Sequence, residues 1–246
     1  QYKGDFCVIT DRDDMSTVLP EWFCGKLHVF KASAQSRIEM WKARYRLGEL
    51  FQIERYQPIL YMDTDVVCNA PIDMLLCAVL MSPRLSVGTE DHPGVVMIPS
   101  LYRKSESVGK SFFEHENFFP SQTYGFNSGI IGFSDIEIAR AAFNAVSAII
   151  DRMICLGNTQ GWVDQAVLNY VLHKQDCVDD TIISSMIAVG TGENVFPYKD
   201  ASQIPVLIHF WSTHAHERLS RLKHYVQMRL DQLHKDQDTA DLPWTH

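Results

Sequence analysis

Short runs of β-forming, mostly apolar residues alternate along this chain with segments of helical period, and that alternation restricts it to few architectures. Residues 5–10 (DFCVIT) read as a buried strand closed by the turn-rich DRDD, and residues 26–32 (KLHVFKA) as a second strand. Residues 58–62 (PILYM) are apolar throughout, the pattern of a central strand covered on both faces. Residues 85–89 (LSVGT), 128–133 (SGIIGF), 179–184 (DDTIIS) and 206–211 (VLIHFW) complete the expected strands. Between them, from Ser36 to about Tyr56, Ile38, Trp41, Tyr45, Leu47, Leu50 and Phe51 recur at mostly helical spacing. A long helix is expected from an N-cap at Ser134 or Asp135 to Gly157, and a shorter one over residues 163–174. The order predicts an α/β fold on a largely parallel central sheet flanked by helices.

Two segments stand apart. Residues 93–123 are rich in Gly, Pro, Ser, Lys and Phe, and read either as a surface excursion with a small apolar anchor or as a lid or acceptor-binding loop. Residues 216–235 set Leu219, Leu222, Val226, Leu230 and Leu233 on one stripe, surrounded by Arg218, Arg221, Lys223 and Arg229. Such a helix is expected to dock on its own domain, with a partner or membrane-surface role as the alternative. The division expected is therefore a domain over 1–211 and an amphipathic helix with a tail over 212–246.

With 246 residues, 46% of them hydrophobic, the chain can bury a core as one domain. A net charge of −8 argues against nucleic acid as a main partner, because neutralising phosphates needs a surplus of Lys and Arg. No apolar run is long enough to span a bilayer. The six cysteines, Cys7, Cys24, Cys68, Cys77, Cys155 and Cys177, form no CxxC pair, which argues against structural zinc. They read as buried reduced thiols, favouring a cytoplasmic setting. The chain opens on QYKGDFCVIT, without an initiator Met, as a fragment would.

Chemistry concentrates in YMDTDVV, residues 61–67. Asp63 and Asp65 follow directly on an apolar strand, and ligands of α/β sheets gather outside the carboxyl ends of strands. Paired carboxylates suit Mg²⁺ or Mn²⁺, which bind through one or two of them plus substrate phosphates. Two reaction classes share this pattern. One is the haloacid-dehalogenase-type phosphatase, with Asp63 as nucleophile. The other is the metal-dependent glycosyltransferase. The phosphatase also needs a downstream Lys followed by an acidic motif, for which only Asp179-Asp180 offers itself.

Three further motifs occur in register with YMDTDVV: GFNSGIIGF (125–133), GWVDQAVLNYVL (161–172) and IHFW (208–211). With them the chain resembles the retaining GT-A glycosyltransferases of the glycogenin and bacterial lipopolysaccharide galactosyltransferase group, family eight, from about Gly4 to His209. The resemblance implies a GT-A-like (Rossmann-like) domain lacking the first βα unit. It implies transfer of a hexose, with retention, from a nucleotide diphosphate sugar, UDP-linked, to an acceptor hydroxyl on a glycan, a lipid-linked saccharide or a protein. Mn²⁺, with Mg²⁺ as alternative, would be held by Asp63, Asp65 and His209, with Asp63 also near the ribose. Asn127, Ser128 and Gly129 would line the donor-sugar pocket. Asp164 would bond sugar hydroxyls and Gln165 would lie against the anomeric carbon. The family's upstream cation is assigned to Arg46, with Arg44 in reserve. A Gly-x-x-Lys-Pro segment follows the metal His in the family and is missing here, leaving Arg218, Arg221 or Lys223 to reach the pyrophosphate. A non-catalytic module of the same fold is the remaining alternative.

Overall fold

The computed structural model describes residues 4–13, 15, 25–34, 36–49, 53–89, 106–118, 120, 125–157, 163–189, 205–211 and 215–240. β1 (Phe6–Thr10) and β2 (Leu27–Lys31) pair in parallel. α1 (Arg37–Lys42) starts where Ser36 Oγ accepts the Glu39 N–H at 3.3 Å. The helical run expected from Ser36 to Tyr56 is broken: after Lys42 the chain tightens into 3-10 turns at Ala43–Glu49 and Ile53–Arg55. At three residues per turn, positions i and i+3 eclipse. Arg44 and Leu47 therefore share an inward row, and Arg46 and Glu49 an outward one.

The remaining strands are β3 (Ile59–Met62), β4 (Val66–Cys68), β5 (Leu85–Thr89), β6 (Phe126–Phe133), β7 (Val178–Asp179), β8 (Ile187–Val189) and β9 (Leu207–His209). Together with β1–β2 they form three sheets, the larger two ordered β3-β6-β5-β7 and β4-β9-β8. These are mixed, not largely parallel: β6 runs antiparallel to both β3 and β5, and β4 antiparallel to β9, while β5–β7 and β8–β9 are parallel. Apolar content reports burial of a strand, not its direction, so the pattern could not reveal the reversal. β3 also lies at an edge among the described strands instead of the centre. It is nevertheless apolar for the expected reason. Ile59 and Tyr61 pack into one cluster, Leu60 and Met62 into another on the opposite face.

The first cluster is formed with α4 (Ile136–Cys155) and α5 (Val163–Lys174), through Phe143, Val146, Ile150, Leu168 and Leu172. The second is formed with α2 (Asp73–Met81), through Leu75 and Val79. A Cβ on Gly132 would lie 2.4 Å from Val79 Cγ2, so the glycine lets α2 seat against the β6 backbone. α4 is capped as expected: Asp135 Oδ1 accepts the N–H groups of Glu137 and Ile138 at 2.9 and 3.0 Å, and Gly157 follows the helix at φ +71°. Of the strand expected over 179–184 only Asp179 is paired, at the end of β7, and the chain then turns. Asp179 Oδ1 accepts the N–H groups of Thr181 and Ile182 at 3.1 and 3.3 Å, competing with a ladder.

α6 (Ala215–Ala240) docks through Leu222, Tyr225 and Val226 onto Ile208, Phe210 and Val67. Leu219 and Leu230 stay 60% and 45% exposed, so only part of the expected stripe is buried; the side chain of Leu233 lies outside the described set. Within the excursion, α3 (Lys110–His115) contributes Phe113 to an anchor with Val108, Phe118 and Tyr170. Its residues 93–105, 119 and 121–123 lie outside the described set. The cysteines depart from expectation. Cys177 is buried, but Cys7, Cys68, Cys77 and Cys155 are exposed among the described residues, each on an outward position of its strand or helix, and Cys24 lies outside them. No described helix is long and apolar enough to cross a membrane.

Candidate metal centre

Where β3 ends, the Asp63 N–H donates to the carbonyl of Gly129 at 2.8 Å, tying the acidic turn to β6. β4 then leaves alongside β9 with Val66 opposite His209, and the Phe210 N–H donates to the Asp65 carbonyl at 2.9 Å. This register sets His209 Nε2 3.1 Å from Asp65 Oδ1. Asp63, Asp65 and His209 each offer a ligand atom, all within 4.8 Å of one another. Two carboxylates and one imidazole suit a divalent cation, Mg²⁺ or a first-row metal, without preference for Mn²⁺. Gly129 supplies the space: a Cβ there would lie 2.3 Å from His209 Cε1 and 2.9 Å from Asn127 Oδ1. The residues fit a metal on the chemistry of their donor set.

Two arginines border the triad. From α6, Arg218 Nη1 donates to Asp65 Oδ2 at 2.7 Å and Nη2 to the Trp211 carbonyl at 3.1 Å. Burial pushes the Asp65 carboxyl up, but the His209 hydrogen bond and the charges of His209 and Arg218 outweigh it and hold it below the usual carboxylate value. Arg44 comes from the 3-10 segment with a side chain only 10% exposed. Its Nη1 donates to Ser128 O and Oγ at 2.9 and 3.0 Å, and lies 3.5 Å from Asp164 Oδ2. Its Nη2 lies 3.4 Å from Asp63 Oδ1, which also accepts the Tyr61 hydroxyl at 2.5 Å. Burial works against the Arg44 charge, yet the surrounding Tyr61, Asp63, Tyr45 and Asp164 raise its pKa. The buried Nε has no hydrogen-bond partner among the described residues.

Asp164 and Gln165, in the first turn of α5, face β6 at Ser128. Asp164 Oδ2 accepts from the hydroxyls of Ser128 and Tyr45, each at 3.4 Å, and Gln165 Oε1 accepts the Ser128 N–H at 3.4 Å. Burial raises the Asp164 carboxyl; Arg44 lowers it only in part, and Asp63 adds to the rise. Asn169, one turn on, locks helix to strand. Its Oδ1 accepts the Phe126 N–H at 3.0 Å, and its Nδ2 donates to the Phe126 and Gln165 carbonyls at 2.9 Å. Asn127 Oδ1 accepts the Gly129 N–H at 2.7 Å, tightening the strand start.

Most residues singled out by the sequence thus meet at one end of β6. Arg46 does not: it pairs with Glu49 at 2.7 Å and is 53% exposed, so the order of preference between Arg46 and Arg44 is reversed. Arg221 pairs with Glu217 at 2.8 Å and Lys223 is exposed, leaving Arg218 as the α6 cation at the triad. Asp179, at the end of β7 beside β5, is held by Thr181 and Ser82. Tyr45, Tyr61 and Asn169 were not singled out; each shows in the sequence only as an ordinary element residue. Clefts of about 480 and 650 Å³ lie elsewhere, beside Glu54 and Pro83 and beside Lys42 and Asn144, and none of the triad lines them. Convergent ligand atoms, not cleft volume, mark the candidate site.

The chain matches no protein-family model and no curated protein. Its functional reading rests on the residues themselves.

Proposed function

We propose that this chain is a metal-dependent retaining glycosyltransferase that moves a hexose from a UDP-linked donor to an acceptor hydroxyl. The observation that carries this reading is the meeting of Asp63, Asp65 and His209 beside the Arg44–Ser128–Asp164–Gln165 cluster. The donor diphosphate lies against the triad and the hexose against the start of β6. When bound, a divalent cation supplies Lewis acidity to the departing diphosphate. Asp164 accepts hydrogen bonds from sugar hydroxyls and is oriented by Tyr45 and Arg44. The Gln165 amide carries no charge at any pH, so it serves as a dipole toward positive charge at the anomeric carbon, not as a base. The bond from the anomeric carbon to the phosphate oxygen breaks and one to the acceptor oxygen forms on the same face. The acceptor proton passes to the departing phosphate oxygen.

A panel of UDP-hexoses with Mn²⁺, followed by NMR of the anomeric proton, tests the reading. Metal-dependent turnover with retained configuration is expected. Asp65→Asn is expected to weaken Mn²⁺-dependent donor binding roughly 100-fold or more in calorimetry. Unchanged binding in that variant sinks the site assignment. Phosphate release from a test ester with Mg²⁺, through an acyl-phosphate on Asp63 and without sugar-nucleotide turnover, would replace the proposal with a phosphatase. Inertness toward both would leave a non-catalytic module.

A further inference from the structure

A 3-10 turn at Glu106–Val108 and α3 form one unit, and its apolar residues Val108 and Phe113 are fully buried. Val108 meets the entry to β6. A Cβ on Gly125 would lie 2.1 Å from Val108 Cγ1, so the glycine lets the valine sit directly on the strand. Gly109 meets α5. A Cβ there would lie 2.7 Å from the Ala166 carbonyl oxygen, and the residue holds φ +94°, a conformation open to glycine. Ala166 follows Gln165, and Gly125 stands three residues before Ser128. Two adjacent residues of the unit thus bear on the strand and on the helix that form the Ser128–Asp164–Gln165 cluster, one on each.

The polar contacts across that cluster are long. Gln165 Oε1 accepts the Ser128 N–H and Asp164 Oδ2 accepts the Ser128 hydroxyl, each at 3.4 Å, the weak end of the hydrogen-bond range. Arg44 grips the Ser128 carbonyl at 2.9 Å but stands 3.5 Å from Asp164, so it does not fix the spacing either. Packed groups resist displacement far better. Phe113 keeps the unit seated, with its ring 5.8 Å from Tyr170 and 6.3 Å from His173, both on α5.

We infer that Val108 and Gly109 are positioning residues that set the spacing between β6 and the first turn of α5, and with it the placement of Asp164 and Gln165 against the donor sugar. The part concerning the sugar rests on the transferase reading; the spacing does not. The metal triad hangs instead on the β4–β9 pairing and on the Asp63–Gly129 bond, so the unit acts on the sugar end of the site.

Amide hydrogen exchange by NMR, calorimetry with Mn²⁺ and UDP, and turnover of a UDP-hexose with Mn²⁺ test this on the full chain. Val108→Ala removes the two methyl groups that meet β6. In that variant the Ser128 N–H is expected to exchange roughly 10-fold faster relative to the Asp63 N–H, which bonds to the Gly129 carbonyl at 2.8 Å. Turnover is expected to fall about 10-fold or more in kcat, as misplacement of catalytic groups does. Affinity for UDP with Mn²⁺ should stay within about 2-fold of the parent, because neither reaches the sugar end. Val146→Ala makes the same truncation at an equally buried position of α4. It should lower the thermal midpoint similarly, yet leave the exchange ratio and kcat at the parent values. Val108→Thr keeps the branched shape and is expected to bring both back toward the parent, although its hydroxyl lowers the thermal midpoint. It supplies the reading should the alanine variant misfold. An unchanged Ser128 ratio in Val108→Ala, or equal losses in Val146→Ala, overturns the inference. A parent chain that turns over no UDP-hexose overturns the transferase reading, and the exchange ratio alone then decides the spacing.

Discussion

A methyl group at Gly129 would lie 2.3 Å from Cε1 and 2.8 Å from Nε2 of His209, with the Asn127 amide closing the other side. Gly129→Ala must therefore push the imidazole away from Asp65. The expected result is a loss of about 10-fold or more in Mn²⁺ affinity. A stability cost of about 1–3 kcal/mol in urea unfolding should accompany it. A second residue governs acid sensitivity. His173 is buried against Phe113 and Phe126, and burial pushes its pKa down from 6.5 to about 4, against a smaller opposing pull from Asp176. Because the unfolded chain takes up the proton first, this contribution is complete above pH 6.5 and is lost as pH falls toward 4. The loss is of the order of 3 kcal/mol, and urea unfolding across that window should show a slope that His173→Gln flattens. At this scale the sequence was informative where a residue type has few uses. Asp63, Asp65, His209 and the Asn127–Gly129 run announce themselves, and the structure brings them together. The choice between Arg44 and Arg46 was not legible, because it turns on a change from α to 3-10 winding that neither side chain encodes.

Elements obey a different logic. α6 carries a five-residue apolar stripe, and among its described side chains the middle is the part that packs, beside Tyr225, which lies edge-on to Phe210 and is bonded to Asn69. Tyr225→Ala is expected to cost about 3–5 kcal/mol, as loss of a large buried ring does. Hydrogen exchange should then speed up in α6 before the central strands. Leu219→Ser, at an exposed position, should stay within about 0.5 kcal/mol of the parent. Equal costs for the two would show the stripe to be docked along its whole length. Element types were largely readable from period, and α4 with its Asp135 cap is the clearest case. Strand direction was not readable, because β6 is apolar on both faces whichever way it runs. The 179–184 segment was misread because its β-formers sit inside hydrogen bonds from Asp179 that favour a turn.

Over the whole molecule, the candidate site draws on the 3-10 segment, the β3–β4 turn, β6, α5, β9 and α6, so it exists only when the chain is folded. Mn²⁺ with UDP at 100 times the dissociation constant should stabilise the fold by about 2.7 kcal/mol, read as a rise in the thermal midpoint that Asp65→Asn removes. The separation along the chain has a further result. Asp65 is 144 residues from His209 and 153 from Arg218. At about 5–20 residues per second, a ribosome emits the acidic turn many seconds before either partner exists. Throughout that interval the nascent chain displays the Asp65 carboxylate without its His209 and Arg218 partners, and β4 has no β9 to pair with. The candidate metal site is thus finished by segments made well after the acidic turn, and a chain stalled or released before them carries the acidic motif without its partners.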